Sequence, residues 1–437
     1  MQSNRLKGER YMKKRWVVLA VSWIVFFVAF LDRVNLSVAM PLIAKEFSLA
    51  PEQVGYLFSA FFITYTLFQI PGGYLSDKIG PQKVLLVALI WWSIMTIATG
   101  FVRTFSQFFI VRVLFGIGEG LQPPCAFKLN SNWFPNQERA TANAIFTSAC
   151  SFGPAIAPSI AVAIIGLWGW HALFYIFGGL GFVILPLLYF LVKNSPEEDP
   201  DITKEELDYI KSGQVEIAPV ASDETSVGLM SVLKNRNICL LALTYFGFMC
   251  AFFGLLSWLP SYLVKARGFE MVKMGIFSGL PFLALGVAQP LGGWLSDKVF
   301  SGHRKTQAIL VNLAAGPVLY GVAAAPTENI AMGLLVCTGF LVGMAFGPLW
   351  AMPMESVKRS QVGMATGVMN AGGSMGGILS PIIIGYLVGM SGYNAAFVFM
   401  GGALVFMGGA LVFTALVVSL VKLPPKANAD LASATRI

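Results

Sequence analysis

The sequence predicts an all-α membrane protein with twelve transmembrane helices in two six-helix, pseudo-symmetric bundles. Three observations carry that expectation. Of 437 residues, 56% are hydrophobic and only 12% charged, with a mean hydropathy of +0.71, whereas soluble domains carry about 25% charged residues. The apolar residues fall in runs of about 20, enough to span about 30 Å of hydrocarbon, and not in the roughly 10-residue alternating segments of an outer-membrane barrel. A ten-residue string near the end of the second run recurs near the end of the eighth. This composition excludes a cytosolic enzyme, a disordered chain and a nucleic-acid binder.

In chain order the runs cover 16–38, 54–75, 83–102, 105–127, 140–165 and 171–192, then 238–262, 273–295, 307–325, 330–353, 363–390 and 394–421. The first is too long for a signal peptide and lacks a small-residue cleavage site, so it is expected to remain as a span. Between the sixth and seventh runs, Asn194-Ser195-Pro196-Glu197-Glu198-Asp199-Pro200-Asp201 is polar and proline-punctuated. Thr203 and Glu206 then have the spacing of a capping box, opening a short surface helix to about Lys211. The expected organisation is therefore a bundle over 1–192, a linker with a short amphipathic helix over 193–236, and a second bundle over 237–437.

Arg5, Lys7, Arg10, Lys13, Lys14 and Arg15 crowd the start of the first run. With twelve spans, 22 of the 30 lysines and arginines share that side, and five (Lys45, Arg103, Lys265, Arg267 and Lys273) lie on the other. Arg33, Arg112 and Lys128 fall inside spans. The positive-inside rule then puts both termini in the cytoplasm and makes the net charge of +8 a topology signal. Cys125, Cys150, Cys239, Cys250 and Cys337 all lie within runs, with no C-x-x-C, which argues against a disulfide framework or a metal site. They read as buried small apolar residues.

The repeat supports the division into halves. Gln69-Ile-Pro-Gly72-Gly73-Tyr-Leu75-Ser76-Asp77-Lys78 returns as Gln289-Pro-Leu-Gly292-Gly293-Trp-Leu295-Ser296-Asp297-Lys298, with seven of ten positions identical at a separation of 220 residues. A basic turn follows each copy, Gly80-Pro81-Gln82-Lys83 and Gly302-His303-Arg304-Lys305. The glycines at 72, 73 and 80 allow close helix approach and a tight turn. Asp77 is placed to cap a neighbouring helix or pair with a base across the loop. The second copy has Phe300 where the first has Gly80.

Gly73 to Lys83 resembles the cytoplasmic signature of the major facilitator superfamily, and Arg112-Val-Leu-Phe-Gly116-Ile-Gly118-Glu119-Gly120 its fourth-helix motif. Leu31-Asp32-Arg33-Val34-Asn35-Leu36, together with Arg112, Glu119 and Trp133-Phe134-Pro135, resembles its anion:cation symporter branch, which includes bacterial sugar-acid permeases. The resemblance implies secondary transport across a bacterial inner membrane, without an organic or metal cofactor and with the proton gradient as coupling ion. A monomer is expected. It also implies a gating role for Gly73, Asp77, Lys78, Gly80, Lys83, Asp297 and Lys298.

A charge at the bilayer centre costs at least about 2.5–3.5 kcal/mol, so intramembrane charges mark function. Away from span ends these are Asp32, Arg33, Arg112, Glu119 and Lys128, all in the first and fourth spans. Arg112 and Glu119, seven residues apart, share one helix face, about 10.5 Å apart along the axis. Gly116 lies between them and leaves room for a neighbouring helix. The economical arrangement faces the first span toward the fourth, with Arg33 toward Glu119 and Asp32 toward Arg112 or water. The competing reading is a static ion-pair network that only fixes packing.

With both carboxylates ionised the group of four sums to zero, and each proton taken up frees one positive charge for an anion. Arginine keeps its proton, and its planar fork matches a carboxylate, so Arg33 is assigned to the substrate. Asp32 and Glu119 are the proton-coupling residues, as the resemblance also implies, with Arg112 restraining Glu119. Tyr65, Asn370 and Trp350 match polar positions of the sugar-acid branch; Ser257 and Trp258 are further possible contacts. Lys128 stands where a long side chain can snorkel to water or serve an exit path.

Gly372-Gly373-Ser374-Met375-Gly376 fits G-x-S-x-G, but inside a glycine-rich span and without a base, since His171 and His303 stand at span edges elsewhere. No P-loop is present. The expected function is therefore not enzymatic: it is proton-coupled symport of a small organic anion, a sugar acid such as galactonate, glucarate or a hexuronate. The alternatives are an aromatic or short hydroxy carboxylate as cargo, a proton-coupled exporter, or a transport-inactive sensor. The implied partners are the anion, protons and the lipid bilayer.

Overall fold

The computed structural model describes residues 13–213, 235–300, 304–356 and 362–405. Four helices open the chain: α1 (Lys14–Glu46), α2 (Pro51–Ile79), α3 (Pro81–Thr99) and α4 (Phe105–Trp133). Asn136–Leu191 is helical over 56 residues except at Gly169, with φ 80° and ψ 170°. A continuous helix of that length would measure roughly 84 Å, far beyond any bilayer. The glycine, in a conformation other residues resist, divides it into α5 (136–168) and α6 (170–191). The short α7 (Lys204–Gly213) lies in the linker, followed by α8 (Arg236–Lys265), α9 (Met271–Lys298), α10 (Arg304–Ala324), α11 (Glu328–Ser356), α12 (Val362–Ser391) and α13, described over Tyr393–Val405.

Among the described residues nine helices are long and apolar enough to cross a membrane, Asn136–Leu191 counting as one. The charged α4 is not among them, and α13 is described over too short a stretch. The chain is a multi-pass, all-helical membrane protein.

Proline at the first position starts α2 and α3, where its missing N–H and fixed φ are harmless. Thr104 caps α4, its hydroxyl accepting from the Gln107 backbone N–H at 3.3 Å, while the Gln107 carboxamide accepts from Arg103 N–H at 2.8 Å. Within each half, glycines bring helix backbones together, as expected where lipid supplies no hydrophobic drive to association. Gly116 and Gly120 of α4 sit on Phe61 and Tyr65 of α2; Gly339 and Gly343 of α11 sit on Pro281 and Leu285 of α9 in the same manner.

The repeat becomes a two-fold relation in space. Gly55 of α2 packs on Pro381 and Ile382 of α12, and Gly275 of α9 packs on Pro158 and Val162 of α5. Gly55 and Gly275, and likewise Val162 and Ile382, stand 220 residues apart. Among the described residues the helix pairs that join the halves most extensively are α2 with α12, α5 with α9, and α1 with α8. We call the side where α1 begins the N-terminal face and its opposite the far face. The seams close the far face: Tyr56 and Tyr386 share a hydrogen bond of 2.5 Å, Ser59 Oγ donates to Ile378 O at 2.6 Å, and Phe62 lies 4.3 Å from Phe253.

On the N-terminal face α7 is tied to the first half. Thr203 accepts from Glu206 N–H, but the Glu206 carboxylate turns away from that cap. It accepts from the backbone N–H groups of Lys14 and Arg15 at 2.9 and 3.3 Å and from the Arg15 guanidinium at 3.0 Å. A carboxylate there satisfies orphan donors and complements the helix dipole. Arg15 also pairs with Glu138, which accepts from Tyr209 Oη; that hydrogen bond raises the phenol's pKa.

Candidate functional site

Asp32, Arg33, Arg112 and Glu119 are all buried in the first half. Arg33 Nε donates to Glu119 Oε2 at 2.5 Å, joining α1 to α4. The guanidinium lies 4.6 Å from the Phe30 and Tyr65 rings and 5.2 Å from Phe61, a box in which cation–π attraction replaces hydration. Among the described residues Arg33 Nη2 and Glu119 Oε1 are buried without a hydrogen-bond partner.

Asp32 and Arg112 do not form a corresponding ion pair among the described residues. Asp32 Oδ1 accepts from Asn35 at 3.4 Å, and its neighbours include Thr96 of α3, Arg112 and Glu119. The Arg112 guanidinium stacks 4.5 Å from Phe115. As adjacent residues on α1, Asp32 and Arg33 point about 100° apart, and only Arg33 meets the α4 carboxylate directly.

Tyr65 thus stands at the charged pair. Trp350 of α11 is 5.6 Å from Tyr245 of α8, and Asn370 of α12 donates to Gln69 Oε1 of α2 at 3.3 Å, across the halves. Ser257 is buried one turn beyond Phe253 on α8, on the far-face side of the Phe62–Phe253 contact. Trp258, beside it, packs between Phe58 and Tyr393.

In the repeated motif, Asp77 pairs with Lys128 of α4 at 2.8 Å, so the base it finds is on a neighbouring helix and not in the following loop. Gly80 has φ 93°, and a side chain there would meet Asn194, whose carboxamide accepts from Gln82 N–H at 3.0 Å. Gly73 has space around it, while Lys78 and Lys83 are exposed. In the second copy Lys298 is exposed; the side chain of Asp297, and Gly302 and His303, lie outside the described residues. Trp133 is fully buried and donates to Lys193 O at 2.9 Å, fixing the end of α4.

The cysteines divide. Cys125 and Cys250 are buried and Cys150 half-buried, but Cys239 and Cys337 are exposed on the helix surface. The correction has a simple cause: a weakly polar thiol is tolerated against lipid as well as in a core. Sequence reasoning also missed Gln69, Tyr245 and Gln289, neutral residues in apolar stretches. For Gln69 and Gln289 a signal existed, since both begin the repeated string.

A family comparison agrees with this architecture. The profile of the Major Facilitator Superfamily matches residues 22–370, and the chain belongs to that family of membrane transporters, which are not enzymes. It is 33% identical over 397 residues to a probable sulfoacetate transporter of Cupriavidus necator, covering 89% of this chain and 91% of that one. To the D-galactonate transporter of Escherichia coli O6:H1 it is 31% identical, covering 89% and 92%. To a probable galactarate/D-glucarate transporter of Escherichia coli K12 it is 32% identical, covering 89% and 91%. Its fold matches the crystal structure of a bacterial homolog of the human lysosomal transporter Spinster, inward-facing and occupied, at a TM-score of 0.74 and 19% identity, covering 93% of this chain and 96% of the other.

Proposed function

We propose that this protein is a proton-coupled symporter that takes up a small organic anion by alternating access between its two halves, with sugar acids as the first candidates. The observation that carries the reading is the Arg33–Glu119 pair: buried, boxed by aromatic rings, and with an unpartnered polar atom on each side. Similarity to a probable sulfoacetate transporter, a probable galactarate/D-glucarate transporter and a D-galactonate transporter supports an anionic cargo. The excess of basic residues on the N-terminal face supports placing that face, and both termini, in the cytoplasm; the inner membrane of a bacterium and a monomer fit the same reading. The structure is then inward-facing, with its far-face seams shut.

The mechanism follows from the pair. A substrate carboxylate competes with Glu119 for the Arg33 fork, which suits bidentate binding. Glu119, deprived of its cation, would be an unpaired charge in a dry interior, far costlier than the neutral acid. A proton therefore accompanies the anion, and Asp32 offers a second proton site under the field of Arg112. Tyr65, Trp350 and Asn370 are the neutral contacts. Releasing both passengers re-forms Arg33–Glu119, so this structure corresponds to the empty carrier. Asp77–Lys128, with Gly73, Lys78, Gly80, Lys83, Asp297 and Lys298, belongs to the cytoplasmic gate.

The aromatic walls around Arg33 favour a second cargo class, an aromatic or short hydroxy carboxylate. Proteoliposomes loaded with a pH-sensitive dye distinguish them: the transported anion acidifies the lumen when added outside. Acidification by a sugar acid is the expected result. Acidification by aromatic or short hydroxy acids alone would keep the mechanism and change the cargo, and silence for all anions would overturn symport.

A further inference from the structure

The two seams carry matching positions with different chemistry. Gln69 and Gln289 are 220 residues apart, and so are Cys150 and Asn370. The same spacing relates the packed pairs Gly55–Ile382 and Gly275–Val162. It also relates Gly153, seated on Phe30 of α1, to Gly373, seated on Tyr245 of α8. On the α2–α12 seam the glutamine has an amide partner, Asn370. On the α5–α9 seam that place belongs to Cys150, and Gln289 Nε2 is buried with no hydrogen-bond partner among the described residues.

The thiol stands between the halves. Ser151, next to it, meets Gly286, one turn before Gln289 on α9. Cys150 Sγ is 3.9 Å from Ser151 Oγ. Its electrostatic neighbours are Arg33 of α1 and Tyr245 of α8, and Tyr245 in turn neighbours Tyr65 and Trp350. An amide donor left unpaired in a protein interior forfeits its hydration, and a thiol is a poor acceptor. Arg33 Nη2, on a residue more than nine-tenths buried, is also unpartnered.

We propose that Cys150 and Gln289 form the second wall of the anion site, facing Arg33: Gln289 Nε2 donates to an oxygen of the bound carboxylate's body while the thiol lines the path beside it. This rests on the reading of Arg33 as the anion's anchor. It adds the α5–α9 seam to the grip on substrate, and leaves the α2–α12 seam held by its own Gln69–Asn370 bond while the carrier is empty.

The test treats the full-length protein in detergent with the anionic reagent 2-sulfonatoethyl methanethiosulfonate and locates the label by peptide mass spectrometry. The Cys150 thiolate sulfur displaces methanesulfinate from the reagent, giving a mixed disulfide and releasing the thiol proton to water; no oxidant is consumed. We expect labelling at Cys150 that slows at least fivefold with a saturating amount of the anion that acidifies the proteoliposomes. Gln289→Leu should raise KM for that anion about tenfold while the protein keeps its elution volume. Labelling indifferent to the anion, no label at Cys150, or an unchanged KM would each overturn the proposal. Should no anion be transported, the symport reading fails separately. The second wall is then judged by whether Arg33→Gln removes the preference of Cys150 for the anionic reagent over neutral methyl methanethiosulfonate; a preference that survives overturns it.

Discussion

Arg33 illustrates how much geometry one residue carries. Its Nε holds Glu119 at 2.5 Å while Phe30 and Tyr65 each lie 4.6 Å from its guanidinium. An ammonium is a strongly hydrated point charge without the flat fork. Arg33→Lys is therefore expected to raise KM for the anion at least tenfold despite keeping the charge, measured by initial uptake rates in proteoliposomes. Unchanged kinetics would reduce Arg33 to a generic positive charge. The four charged residues were legible in the sequence because a charge inside an apolar run is conspicuous. Tyr245 and Cys150 were not, because a neutral residue in such a run carries no sign of which face it presents until helices from the other half arrive.

At the scale of elements, glycine decides where helices touch. A Cβ at Gly55 would come within 2.5 Å of Pro381 O, a backbone atom that cannot swing aside. Gly55→Leu should force the far-face seam apart, read as an increased distance between spin labels on the far-face ends of α2 and α12; an unchanged distance would show that the seam yields elsewhere. Gly80 holds φ at 93° and ψ at 141°, a backbone region in which an L-residue pays about 1–3 kcal/mol, and a side chain there would also press on Asn194. Gly80→Ala should lower the thermal midpoint in detergent by several degrees, and a neutral result would remove that turn from the stability account. The division of α5 from α6 was readable as a break between apolar runs at 165 and 171, since Gly169 sits between two tryptophans. Helix ends were less readable: α2 continues to Ile79, past its apolar run, with Gly72 packed on Leu121 of α4 and Asp77 in the last turn paired with Lys128 of the same helix.

The whole molecule obeys constraints the bilayer imposes, and these are why its architecture shows so plainly in the sequence. Backbone groups in hydrocarbon must pair within a helix, so run length and charge location prescribe most of the fold. The ionic attachment of α7 was not prescribed, since it depends on Glu206 capping α1 from 191 to 192 residues away in sequence. Glu206→Ala should increase hydrogen exchange over 204–213 and at the start of α1 together, whereas exchange confined to α7 would mean the two are not coupled. Nor did the sequence disclose the far-face contacts between the halves, Tyr56 with Tyr386 and Ser59 with Ile378, since each joins residues more than 300 apart.

The central claim is that a buried carboxylate exchanges partners, from Arg33 to a proton, as the anion binds. The most direct measurement compares wild-type protein with Glu119→Gln in proteoliposomes, following labelled-anion exchange at equilibrium beside uphill uptake under an inward proton gradient. The account predicts that exchange survives in the variant while uphill uptake is lost. Uphill accumulation at the wild-type level in Glu119→Gln would contradict it.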